Sequence, residues 1–198
     1  MLKKVLPTAM ALVLASGVCA AQTEQSKKGF FLGGGVNTVD TDSDIPEPDN
    51  YFVQAGYGFS ENWSVELQYS DSYKDGSIDE EFEMYLEEID DYVDVDAKTD
   101  ISVKLTSAFV AYRSTGAFYW KAKAGFMDAE VTADVDVTAV YEGESFSESA
   151  SESASESGWA AGAGVGYSFG SSAIELEYLT TDDKVGVDSI ALSYNYWF

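Results

Sequence analysis

From Ser189 to Phe198 the side chains alternate in character. Ile190, Leu192, Tyr194, Tyr196 and Phe198 fall on one parity, while Ser189, Ala191, Ser193 and Asn195 fall on the other. Successive residues of a β-strand point to opposite faces, so this period of two predicts a strand with one aromatic, apolar face and one small, polar face. Chain ends fray unless they are tied down. A strand this apolar at the carboxyl end is expected to be held at both edges, with its aromatic side turned to lipid.

Eight segments carry the same alternation: 29–36, 51–59, 63–70, 101–113, 117–126, 159–169, 173–180 and 187–198. The third is the clearest, with Trp63, Val65, Leu67 and Tyr69 between Ser64, Glu66, Gln68 and Ser70. Each is near the roughly 9–11 residues that a tilted strand needs to cross a bilayer. Short connections (Ser60-Glu61-Asn62, Ser114-Thr115-Gly116, Gly170-Ser171) alternate with long ones at 37–50, 71–100, 127–158 and 181–186. Of the 35 acidic residues, 30 lie in those four long connections or at their strand edges. Short turns at one end and long loops at the other are the asymmetry of an outer-membrane barrel. The expected fold is therefore all-β, an eight-stranded antiparallel up-and-down transmembrane β-barrel with long acidic extracellular loops.

The amino end fits that destination. Residues 1–21 hold a basic start (Lys3, Lys4), an apolar run and small residues about Cys19 and Ala20, the pattern of a cleaved secretory signal peptide. A short linker at 22–27 and a barrel domain at 28–198 complete the expected organisation. The only cysteine lies in the leader, so no disulfide is expected in the mature chain. The whole chain has 11 Lys and Arg against 35 Asp and Glu, a net charge of −24, and loss of Lys3 and Lys4 carries this to −26. Such a surface repels nucleic acid.

The polar parity predicts a filled interior. Gln54, Glu66, Gln68, Lys104, Lys121, Lys123, Glu175, Glu177 and Asn195 share the side opposite the apolar set. The lumen of an eight-stranded barrel is just wide enough for side chains. Charges there must pair or cost several kcal/mol each. The strand at 159–169 offers only Ala160, Gly162, Gly164, Gly166 and Ser168 on that side, between neighbours carrying Lys121 and Lys123 and carrying Glu175 and Glu177. Small residues between long ones leave room for Lys–Glu bridges, and Glu66 is expected to pair with Lys104. Three Lys against three Glu would leave the interior neutral.

The strand pattern, the loop asymmetry and the aromatic-x-Phe ending at Tyr194, Tyr196 and Phe198 resemble the small eight-stranded bacterial outer-membrane β-barrels: the OmpA membrane domain, OmpX and opacity-type porin-family proteins. The resemblance spans roughly residues 28–198. It implies residence in the bacterial outer membrane, contact with lipid and lipopolysaccharide, and recognition of the carboxyl end by the barrel assembly machinery. The family includes adhesins, anchors, narrow channels and lipid-modifying enzymes, so fold alone does not assign function. Two readings stay open: a closed scaffold presenting acidic loops for adhesion, interaction with a surface ligand or host protein, or envelope stability, and a narrow cation-preferring channel for small solutes.

The chain has no histidine, and a serine without an adjacent base is a poor nucleophile, so no enzyme activity and no cofactor are expected. Asp40, Asp42 and Asp44 have the spacing that opens a calcium loop, but Ile45 and Tyr51 stand where such a loop needs Gly and Glu. They are candidates only for diffuse, loosely held Ca²⁺ or Mg²⁺. Within the long connections, Phe82, Tyr85, Leu86 and Ile89 carry the only helical spacing. Residues 147–158 repeat Ser-Glu-Ser-Ala, a composition expected to be a disordered spacer. Val93, Val95, Ala97 and Thr99, and Val131, Ala133, Val135 and Val137, instead leave two readings open: a hairpin extending beyond the membrane, whose edge could pair with another chain, or merely a long ordered loop.

Overall fold

Every described element is a strand. The computed structural model describes residues 27–41, 48–86, 91–141 and 144–198. Chain order is β1 (Gly29–Thr41), β2 (Asp49–Gly58), β3 (Trp63–Lys74), β4 (Gly76–Leu86), β5 (Asp91–Arg113), β6 (Phe118–Tyr141), β7 (Glu144–Phe169), β8 (Ser172–Thr181) and β9 (Val187–Trp197). All pairings are antiparallel. The sheet runs β3-β2-β1-β9-β8-β7-β6-β5 and returns to β3 through the β3–β5 pairing, which closes it. β4 follows β3 along the same edge of β5, so nine segments make eight walls.

The junction of β3 and β4 interrupts the ladder with β5, and side chains take over there. The Ser72 hydroxyl accepts from Val103 N at 2.9 Å, and Asn50 Nδ2 donates to Val103 O at 2.8 Å. Backbone groups buried near the mouth are thereby satisfied.

The alternation places the apolar set outside. Leu67, Val65, Tyr57, Trp120, Ile190, Leu192 and Tyr194 are exposed on the outer wall. Trp63, Phe59, Phe118, Trp120, Tyr196 and Phe198 ring the short-turn end, the position of an interfacial aromatic girdle.

The long connections are more regular than their composition predicts. β5 and β6 pair from Arg113↔Lys121 out to Asp94↔Val140, so of the two readings the extended hairpin is the one formed. β4 and β7 flank it, giving an external sheet in the order β4-β5-β6-β7. Two expectations fail here. Phe82, Tyr85 and Leu86 lie in strand β4, not in a helix, because β4 has a strand partner in 91–101 of β5; Ile89 lies outside the described residues. The Ser-Glu-Ser-Ala repeat is strand, paired residue for residue with β6. A four-residue repeat is also a period of two, and the alternating β6 supplies the pairing that this polar segment could not obtain alone. The leader, the start of the linker, Asp42 and Asp44 lie outside the described residues.

Candidate functional site

The lumen is filled in layers. Nearest the short turns, Phe31, Tyr119, Ala173 and Trp197 form a buried floor, with the Phe31 and Trp197 rings stacked at 5.1 Å. Towards the long connections, Val103, Leu105, Phe109, Met127, Leu179 and Val187 belong to a second buried apolar cluster. Between them sit the charges.

Glu175 on β8 is at the centre. Its Oε1 accepts from Arg113 Nε at 2.7 Å and from the Tyr119 hydroxyl at 2.5 Å. Its Oε2 accepts from Lys121 Nζ at 2.9 Å and from Asn195 Nδ2 at 3.1 Å. Lys121 Nζ also lies 2.7 Å from Glu177 Oε1 and 2.9 Å from Glu66 Oε2. Arg113 Nη1 reaches Glu66 Oε1 at 2.7 Å and donates to Ser64 Oγ at 2.8 Å. Lys123 Nζ closes the chain on Glu177 Oε2 at 2.8 Å. Gln54 Nε2 donates to Asn195 Oδ1, which fixes the amide that faces Glu175. Three cations and three carboxylates, all buried, form one continuous neutral cluster. Its guanidinium stacks over Phe31 and Trp197 at 5.3 and 5.6 Å, joining the charged layer to the floor.

The glycines of β7 make this cluster possible. A Cβ at Gly166 would strike the Tyr119 ring; one at Gly164 would meet first the Leu176 carbonyl oxygen and then Glu177, and one at Gly162 first the Tyr178 carbonyl oxygen, with Lys123 Cε at 3.2 Å. The predicted role of this small-residue stripe, room for long charged side chains from β6 and β8, holds.

Five of the six expected interior residues, Glu66, Lys121, Lys123, Glu175 and Glu177, meet as predicted. Lys104 does not. It is exposed on the outside of the sheet, 3.8 Å from Glu130, and the partners of Glu66 are Arg113 and Lys121. The reason is register. Directly paired residues of an antiparallel ladder share a face, and Arg113 pairs with Lys121 across the tight turn at Ser114. An inward Lys121 therefore requires an inward Arg113, and Lys104, an odd number of residues away, must point out. β5 is apolar on both faces, which hid this in the residue pattern. Tyr119 and the floor of Phe31 and Trp197 were not singled out from sequence either. Asp40 stands opposite Asp188 in the β1–β9 ladder, and among the described residues no three acidic side chains gather as a metal-ligand set.

No protein of curated function matches this sequence. Among solved structures, the chain is similar to the outer membrane protein OprG from Pseudomonas aeruginosa, with 14% identity over 87% of this chain and 97% of that one and a TM-score of 0.54. It is also similar to Ail, the attachment invasion locus protein of Yersinia pestis, in complex with the heparin analogue sucrose octasulfate, with 18% identity over 86% and 99% and a TM-score of 0.52. At these identities the likeness is one of fold. Residues 10–198 match the family described as outer membrane protein beta-barrel domain, so the chain belongs to that family and is an integral protein of the bacterial outer membrane.

Proposed function

We propose that this protein is a closed barrel that holds an acidic four-stranded sheet outside the cell for interaction or adhesion, and that it carries out no chemistry of its own. The observation that carries this reading is the layered lumen: an aromatic floor, a neutral cluster in which each charged side chain has an oppositely charged partner, and an apolar layer above it. Opening a path for ions would separate buried charges from their partners, which costs several kcal/mol per ion. A narrow cation-preferring channel is therefore the weaker reading, although the acidic mouth would suit one.

The partner is set by charge. The Ail structure holds a polyanion, sucrose octasulfate. The external sheet of the present chain carries Asp79, Glu81, Asp96, Asp100, Glu130, Asp134 and Asp136 on strands β4 to β6, and would repel such a ligand. Planar-bilayer recording of the folded chain tests the closed-barrel reading. Silence is expected, whereas steady cation-selective openings would overturn it.

A further inference from the structure

The external sheet has two terminal strands, β4 and β7, each with a described partner on one edge only, β5 for β4 and β6 for the outer part of β7. β7 pairs with β6 along its length from Glu144, but its pairing with β8 begins only at Ala160↔Thr181. Among the described residues no strand faces the other edge of β7 over 144–158. Natural sheets protect such edges with charged side chains, Lys above all, with Pro or with bulges. The charges over 145–158 are Glu148, Glu152 and Glu156, which turn away an acidic strand and leave the edge open to a basic one. Residues 144–158 contain no Lys, Arg or Pro, and their register against β6 is unbroken.

The two faces of this edge differ. Ser147, Ser149, Ser151, Ser153, Ser155 and Ser157 all fall on one face. The other alternates Glu148, Ala150, Glu152, Ala154 and Glu156, beside Val137, Val135, Ala133, Val131 and Ala129 of β6. Glutamates four residues apart stand about 13 Å from one another along a strand. Where this face nears the tip, Val135, Val137, Ala139, Phe146, Glu148 and Ala150 line an open hollow of about 440 Å³. Phe146 is 62% exposed there.

We propose that this edge of β7 accepts an extended basic polypeptide as an added strand, with Lys or Arg at every fourth residue opposite Glu148, Glu152 and Glu156 and an apolar residue midway between them. The inference deepens the scaffold reading and rests on it. Backbone hydrogen bonds supply the attachment, as in other strand-addition complexes. Cross-strand pairs of opposite charge, each worth about 0.2–1 kcal/mol, set the register. The apolar residue nearest the tip of the sheet enters the hollow beside Phe146. The serine face places no demand on the partner beyond small size, so the recognition pattern is basic-x-apolar-x.

The test uses the folded full chain in phospholipid nanodiscs and a fluorescent peptide of three Lys-Ser-Val-Ser repeats, read by anisotropy. Saturable binding is expected. It should weaken about tenfold in the triple variant E148Q/E152Q/E156Q, from the loss of three cross-strand charge pairs. It should vanish when alternate peptide amides on the pairing edge are N-methylated, which removes strand hydrogen bonds but keeps every charge. Equal binding by the N-methylated peptide, or by a scrambled peptide of the same composition, would reduce the effect to diffuse charge and overturn the proposal. Pairing of two copies of this chain through β7, seen as a dimer that excludes the peptide, would overturn it too. No binding to a barrel that is silent in bilayers refutes the strand addition alone, and ion conductance refutes the scaffold reading whatever the peptide does.

Discussion

Gly166 on β7 stands directly opposite Tyr119 on β6, and the Tyr119 ring fills the space that a Cβ on Gly166 would need. The absence of a side chain at one position thus lets a tyrosine turn into the lumen and donate to Glu175. Gly166→Ala is expected to destabilise the barrel by about 1–3 kcal/mol through overpacking. In a Tyr119→Ala background the obstacle is gone, so the same glycine change should cost little. A double-mutant cycle by urea unfolding in lipid vesicles measures this coupling.

Lys121 and Lys104 separate burial from mere charge. Lys121 contacts Glu66, Glu175 and Glu177, and its side chain is 1% exposed. Lys121→Met leaves an uncompensated buried negative charge and should cost about 3–5 kcal/mol. Lys104 touches Glu130 at 3.8 Å with about half its side chain in contact with solvent, so Lys104→Met should change stability by about 0–1 kcal/mol. Unfolding midpoints of the two variants, compared in one lipid, check both; a silent Lys121→Met would sink the network argument.

On the external sheet, Asp100 accepts from Lys98 Nζ and from Ser77 Oγ, both at 2.6 Å. These bonds, that of Lys98 first, hold its carboxyl below the usual aspartate range. The stabilisation that Asp100 gives its strand is therefore in place above the ordinary value and is lost as pH falls through the lowered one. Carboxyl NMR titration should find the Asp100 midpoint depressed, and Lys98→Met should move it up towards the ordinary value.

Hydrogen exchange distinguishes a paired edge strand from a disordered spacer at the serine repeat. Along 145–157, amides that face β6 should exchange slowly while those on the free edge exchange fast, giving protection at every second residue. Uniformly fast exchange would mean that the repeat is not held as strand. Addition of the basic peptide should slow the second set.

The membrane wall was legible because one rule, period two, governed it. Trp63 to Tyr69 and Ile190 to Phe198 display apolar and polar parities that burial in lipid and lumen then obeys. The Lys121–Glu175–Glu177 grouping was legible for a related reason: the glycines of β7 declare that their neighbours carry long side chains across it. Arg113 was hidden because β5 is apolar on both faces, with Val103, Leu105 and Phe109 inside and Val110 outside. There hydrophobicity no longer tells lumen from lipid, and only the register across the turn at Ser114 does. The serine repeat was misread because composition reports what a segment can bury alone. Its order comes from the ladder with β6, a partner that composition does not contain.

What the sequence by itself determined is the barrel and its address: alternating strands, short turns facing long acidic connections, and an aromatic carboxyl end are local patterns dictated by a lipid solvent outside and a narrow lumen inside. What only the tertiary structure decided is which charges meet and which edges stay open. Those depend on register, where a slip of one residue sends every side chain of a strand to the opposite face. They depend equally on which neighbour runs out first, as β8 does beside β7.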